Sequence, residues 1–73
     1  MAITQMEKYL MSGLCSLNVP EDAIIGILLT LSEEIQQRKL MDYLAQYRKE
    51  LRESSEADRI SEILGVTADI AME

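Results

Sequence analysis

Residues 23–34 read AIIGILLTLSEE, and the first nine of them hold seven apolar side chains and no charge. Whether this run continues into the following segment or stops decides how many helices the chain forms. On a wheel of about 100° per residue, Ala23, Ile24, Ile27, Leu28 and Leu31 make one broad face. Ile25 and Leu29 lie on the opposite side, beside Gly26 and Thr30. Carried onward, the wheel keeps Ile35 on the first face but swings Leu40, Tyr43, Leu44, Tyr47 and Leu51 nearly to the other side. One straight helix from Pro20 to Leu51 would therefore point its apolar stripe in two directions, and a break in TLSEE (30–34) removes the conflict. Thr30 and Glu33 have the spacing of a capping box, and Ser32 ahead of Glu33 and Glu34 offers a second start.

Working outward, Thr4 and Glu7 again have capping-box spacing. Met6, Tyr9, Leu10, Gly13, Leu14 and Leu17 follow at intervals of three and four, with Met11 and Cys15 widening the stripe. Asn18, Val19 and Pro20 close this segment, because the residue before proline is pushed away from helical angles. Pro20 at a helix start loses no hydrogen bond, and Glu21 and Asp22 suit the positive end of the helix dipole. In the third segment Leu40, Tyr43, Leu44, Tyr47 and Leu51 form the inner stripe, and Glu34 is spaced to pair with Arg38. The polar stretch RESSEAD (52–58) reads as a loop whose serines cap a fourth helix. That helix has Ala57, Ile60, Ile63 and Leu64 inward, and Gly65 ends it. The spacing thus predicts helices over about 4–17, 20–31, 33–52 and 56–64, with a short further helix over 67–72 as the alternative to a frayed end. The expected fold is all-α: a single small four-helix domain, bundle-like or orthogonal, with short loops.

A chain of 73 residues buries only about 60% of its unfolded surface, so its core is thin. Its 48% hydrophobic and 27% charged content nevertheless belongs to a folded globular chain. One cysteine closes no internal disulfide, and the absence of histidine leaves no conventional zinc set. Oligomerisation is the remaining way to reinforce so small a core. The net charge of −6 opposes binding to nucleic acid or anionic lipid by the molecule as a whole. The opening MAITQMEKYLMSG lacks the basic start and apolar run of a secretion signal, and with a lone Cys15, read as a small buried or half-buried hydrophobe, it points to the cytoplasm.

Nothing in the chain specifies chemistry. Without histidine, a serine or cysteine nucleophile has only carboxylates and lysines as bases, and these sit on outer helix faces. The carboxylate pairs Glu33 and Glu34, and Glu53 and Glu56, fall at helix ends where dipole matching and capping account for them. The three glycines are scattered singly, so no phosphate-binding loop exists, and the methionines suit an irregular core better than a metal. The expectation is a non-enzyme with no cofactor, no metal and no small-molecule substrate. The nine-residue apolar run is too short to span roughly 30 Å of hydrocarbon, so no membrane role is expected. What it requires is a cover on both sides. Either helix 2 is central and its neighbours supply that cover, or Ile25 and Leu29 anchor a contact with a second copy or another protein, with Met11, Met41 and Tyr43 at its edges. The second alternative, a small acidic protein-interaction or regulatory module forming a homodimer or binding a partner protein, is the functional expectation.

One segment offers a different class. In ADRISEILGVTADI (57–70), Ala57, Leu64, Gly65, Val66 and Thr67 resemble the turn region of helix-turn-helix DNA-binding domains. The resemblance implies a nucleic-acid-binding protein that uses residues 57–73, with a recognition helix from Thr67 to Glu73. That helix carries Asp69 and Glu73 and no arginine, lysine, asparagine or glutamine to meet base edges. Five of the seven basic residues, Arg38, Lys39, Arg48, Lys49 and Arg52, lie instead on the third helix, mixed with Glu34, Asp42 and Glu50. They form a solvated face, and protein is the preferred partner.

Overall fold

Each segment of the chain begins or ends on a satisfied backbone group. In the computed structural model, which describes residues 3–73, the Thr4 hydroxyl accepts from the Glu7 amide at 3.2 Å and opens α1 (Gln5–Ser16). The helix closes on Asn18, whose φ of 60° is left-handed. The Asn18 amide then donates to Cys15 O at 2.9 Å and the Val19 amide to Leu14 O at 3.1 Å, which is a Schellman motif with asparagine in the place usually held by glycine. Val19 follows into the core. Pro20 stands just before α2 (Glu21–Thr30) in extended conformation, so it precedes the helix and does not open it.

The expected break is present, over residues 31–33, but its capping differs. Thr30 stays helical and its hydroxyl donates back to Gly26 O at 2.8 Å. Glu33 is the extended residue ahead of α3 (Glu34–Glu53), and its amide donates to Gln36 Oε1 at 3.4 Å. The buried Gln37 secures the turn from inside, its Nε2 donating to Leu31 O at 2.8 Å. Ser54 ends α3, and the Ser55 hydroxyl accepts from the Asp58 amide at 3.2 Å to open α4 (Glu56–Met72).

The largest departure from expectation is in α4, which runs unbroken through Gly65. Stopping at Gly65 would leave Thr67 and Ile70 unpacked, whereas continuing buries both. Burying one isoleucine is worth about 1.5–3 kcal/mol, more than the roughly 1 kcal/mol that a helical glycine costs. The inner face of α4 is consequently Arg59, Ile63, Thr67 and Ile70, while Ala57 and Leu64 face solvent. The helix-turn-helix turn expected at Gly65 is not formed, and no separate helix follows it. A Cβ at Gly65 would meet nothing within 4 Å. Gly65→Ala is therefore expected to stabilise the protein by about 1 kcal/mol in urea unfolding followed by circular dichroism. A loss of stability would show that this position needs a turn.

The helices close into a ring in which α1 packs on α2 and α3, and α4 packs on α2 and α3. Gly13 lies opposite Leu44, and Ser16 Oγ accepts from Arg48 Nη2 at 2.7 Å, so α1 and α3 run in the same sense. Tyr43 meets Glu62, and Lys39 pairs with Glu73, so α3 and α4 run oppositely. Leu10, Leu14, Leu17, Ile24, Ile27, Leu31, Leu40, Leu44 and Ile63 fill the centre. Helix α2 is thus one side of the ring, with two neighbours like every other helix; it is not a central helix. Cys15, expected to be buried or half-buried, is exposed, because α1 turns only its Leu10 and Leu14 line inward.

Arg59 joins the elements at the end of the molecule where α1 and α3 finish and α4 starts. It is 8% exposed. Its Nη1 donates to Leu17 O and its Nη2 to Ser54 O at 3.2 Å, while Nε is buried without a partner. Leu17 and Ser54 are the C-caps of α1 and α3. The guanidinium therefore sits on the negative ends of two helix dipoles, which take the place of a carboxylate counter-ion.

Candidate interaction surfaces

With α1 and α4 covering the Ile24 and Ile27 side of α2, its other side is left to solvent. Ile25 is 48% and Leu29 77% exposed, and Gly26 and Thr30 are exposed beside them. The Thr30 hydroxyl proton is already donated to the Gly26 carbonyl, which leaves that hydroxyl only as an acceptor. No charged side chain occurs from Ala23 to Leu31. Ile35 lies just across the turn and is exposed, and Met72, beside the residue that pairs with Lys39, is exposed at the same end of the molecule.

Of the five residues expected to form an interface, Ile25 and Leu29 share this face. Met11 is partly buried against the core. Met41 lines a shallow recess of about 70 Å³ between α1 and α3, with Gly13, Leu17, Leu44, Ala45 and Arg48. Tyr43 is half-buried between α3 and α4. Met41 and Tyr43 are two positions apart on one helix and so point into different recesses, neither of which includes an α2 residue. They do not edge the α2 face.

Tyr43 belongs to a recess of about 530 Å³, whose lining also includes Tyr47, Glu50, Leu51, Ser54, Asp58 and Glu62. The tyrosine rings lie with centroids 5.0 Å apart and planes tilted by 42°, within the separation at which aromatic pairs attract. The Tyr43 hydroxyl donates to Glu62 Oε1 at 2.9 Å. Its pKa is pushed up to about 12 by burial first, then by the hydrogen bond and charge of Glu62, with Tyr47 and Glu50 adding to it. At neutral pH the phenol therefore stays a donor, which holds the Glu62 carboxylate against the cleft wall. The sequence carried a signal for this cleft in two i,i+4 pairs, Tyr43 with Tyr47 and Asp58 with Glu62. Reading α4 with Ala57 and Leu64 inward concealed the second pair.

Among the described residues, no three His, Cys, Asp or Glu side chains converge to hold a metal ion, and no helix is long and apolar enough to cross a membrane. Compared with protein-family models, curated proteins and solved structures, the chain matches none.

Proposed function

We propose that this chain is a small acidic interaction module of the cytoplasm, which acts by burying the outward face of α2 against a second copy of itself. The observation that carries this reading is the exposure of Ile25 and Leu29 on a helix side with no charged side chain. Covering the two is worth about 1.5–3 kcal/mol each if they are fully exposed beforehand, and proportionately less for Ile25. Two side chains fall well short of the roughly 800 Å² per partner that a stable interface buries. The proposed contact therefore takes in the exposed apolar side chains of Ile35 and Met72 as well. The exposed thiol of Cys15 is compatible with a reducing compartment.

Sedimentation equilibrium or light scattering over a concentration series tests this reading. The expected particle mass rises from the 8.3 kDa of one chain towards twice that value. Because each copy carries −6, association should tighten as salt screens their repulsion. A mass that stays at one chain up to millimolar concentration, at low and high salt alike, would exclude self-association as the function of this face.

A further inference from the structure

We infer that the α2 face of one copy is received by the groove between α1 and α3 of the next, and does not land on that copy's own α2. This rests on the self-association proposed above and names the other half of the contact. In α3, Arg38, Met41, Ala45, Arg48 and Arg52 recur at intervals of three and four and so share one edge. Contact with the first helix places that edge. Arg48 Nη2 donates to Ser16 Oγ, and Met41, Leu44, Ala45 and Arg48 line the recess of about 70 Å³ together with Gly13 and Leu17. All three arginines are exposed. The one ion pair among the described residues is Lys39 with Glu73, so none of the three has a carboxylate partner, and the Glu34–Arg38 pair that spacing allows is not formed. The groove is thus an apolar recess with unpaired guanidinium groups along its rim.

What complements such a groove is an exposed aliphatic side chain with carboxylates close by and no cation, and the α2 face answers that description. Leu29 is the more exposed of its two anchors. Glu21 and Asp22 bound the face at its start, Glu33 and Glu34 lie beyond its end, and no lysine or arginine occurs from Pro20 to Gln37. Setting α2 on α2 would bring these carboxylates against carboxylates whether the two helices ran parallel or antiparallel, and like charges brought together cost affinity. In the groove, Leu29 enters the recess as an anchor in a pocket, and the flanking acids meet guanidinium forks that suit carboxylates. These pairs act at contact distance, well inside the Debye length of roughly 8 Å at 0.15 M salt, so they persist while the longer-range repulsion between copies is screened. No α2 residue lines the recess, so each copy carries both halves of the contact at separate places.

The test mixes two variants of the full chain. Ala45→Glu puts a carboxylate at the exposed rim of the recess, among the arginines, and leaves α2 intact. Ile25→Glu with Leu29→Lys removes the α2 face and leaves the groove intact. Each alone should sediment as one chain of 8.3 kDa at concentrations where the wild type associates. Mixed in equal amounts, they should form a species of two chains and no more, because the intact face of one meets the intact groove of the other. Gln46→Glu adds the same charge on another side of α3 and should associate as the wild type does. Circular dichroism checks that each variant is folded, and Arg48→Gln with Arg52→Gln takes the place of Ala45→Glu if the latter is not. Self-association of Ala45→Glu at wild-type strength, equal loss of association in Gln46→Glu, or a mixture that stays at one chain would each overturn this inference while the self-association itself stands. A wild type that never associates removes both.

Discussion

Replacing Arg59 with alanine is expected to remove about 3 kcal/mol of stability, the worth of two hydrogen bonds from a charged donor less the relief of a desolvated charge. A domain this small has only about 5 kcal/mol in total, so the variant should unfold near room temperature in mild urea. The melting temperature should fall by more than about 10 °C. The effect is large because one guanidinium serves two helix ends. Without it, the carbonyls of Leu17 and Ser54 lose their donors, and that of Leu17 belongs to a residue only 1% exposed. Arg59→Lys should recover part of the loss, since a single ammonium keeps the charge near both dipoles but lacks the fork that reaches both oxygens. Arg59→Met, which keeps the packing and removes the donors, should resemble alanine more closely than lysine. Urea unfolding of the three variants by circular dichroism decides the order, and a cost below about 1 kcal/mol for alanine would show that the latch contributes little.

The second large effect is expected in assembly, with folding left intact. Ile25→Glu combined with Leu29→Lys should give a particle of one chain at every concentration. The new side chains would be four positions apart, acid first, an order that favours pairing on a helix surface. The cation would lie in the last turn of α2, where the dipole favours it. One added carboxylate and one added ammonium cancel, so the net charge of −6 is unchanged and general repulsion between copies is not altered. Because both wild-type side chains are substantially exposed, the stability of the single chain should change by no more than about 0.5 kcal/mol. A variant that associates as strongly as the wild type would place any self-contact elsewhere on the molecule.

The parts of the fold written in apolar spacing and turn chemistry were legible. Thr4, Asn18 to Pro20, and Ser54 with Ser55 mark helix ends by local hydrogen bonding, and the change of wheel phase between Leu31 and Leu40 marks the break. What escaped was the polar part of the interior. Gln37, Arg59 and Thr67 are buried at positions where a count of apolar residues registers a gap. Each donates to a carbonyl: Gln37 to Leu31, Arg59 to Leu17 and Ser54, and Thr67 to Ile63 at 2.7 Å. Two of these residues lie on α4, and missing them rotated its inner face and ended it about two turns early at Gly65. The same error hid Asp58 and Glu62 from Tyr43 and Tyr47. On the candidate site, the wheel set Ile25 and Leu29 together on the side opposite the core but left open whether a neighbour covered them, which the exposure of both decides. Met41 and Tyr43 could not be assigned that way, since the groove each helix side falls into depends on which helices are adjacent.

The reach of Arg59 across 42 positions to Leu17 bears on how the molecule is made. Until α4 emerges from the ribosome, the first helix has no donor for its last carbonyl, and the Ile24 and Ile27 flank of the second has lost one of its two walls. A nascent chain that stops short of that helix is then greasy on both flanks of α2 at once.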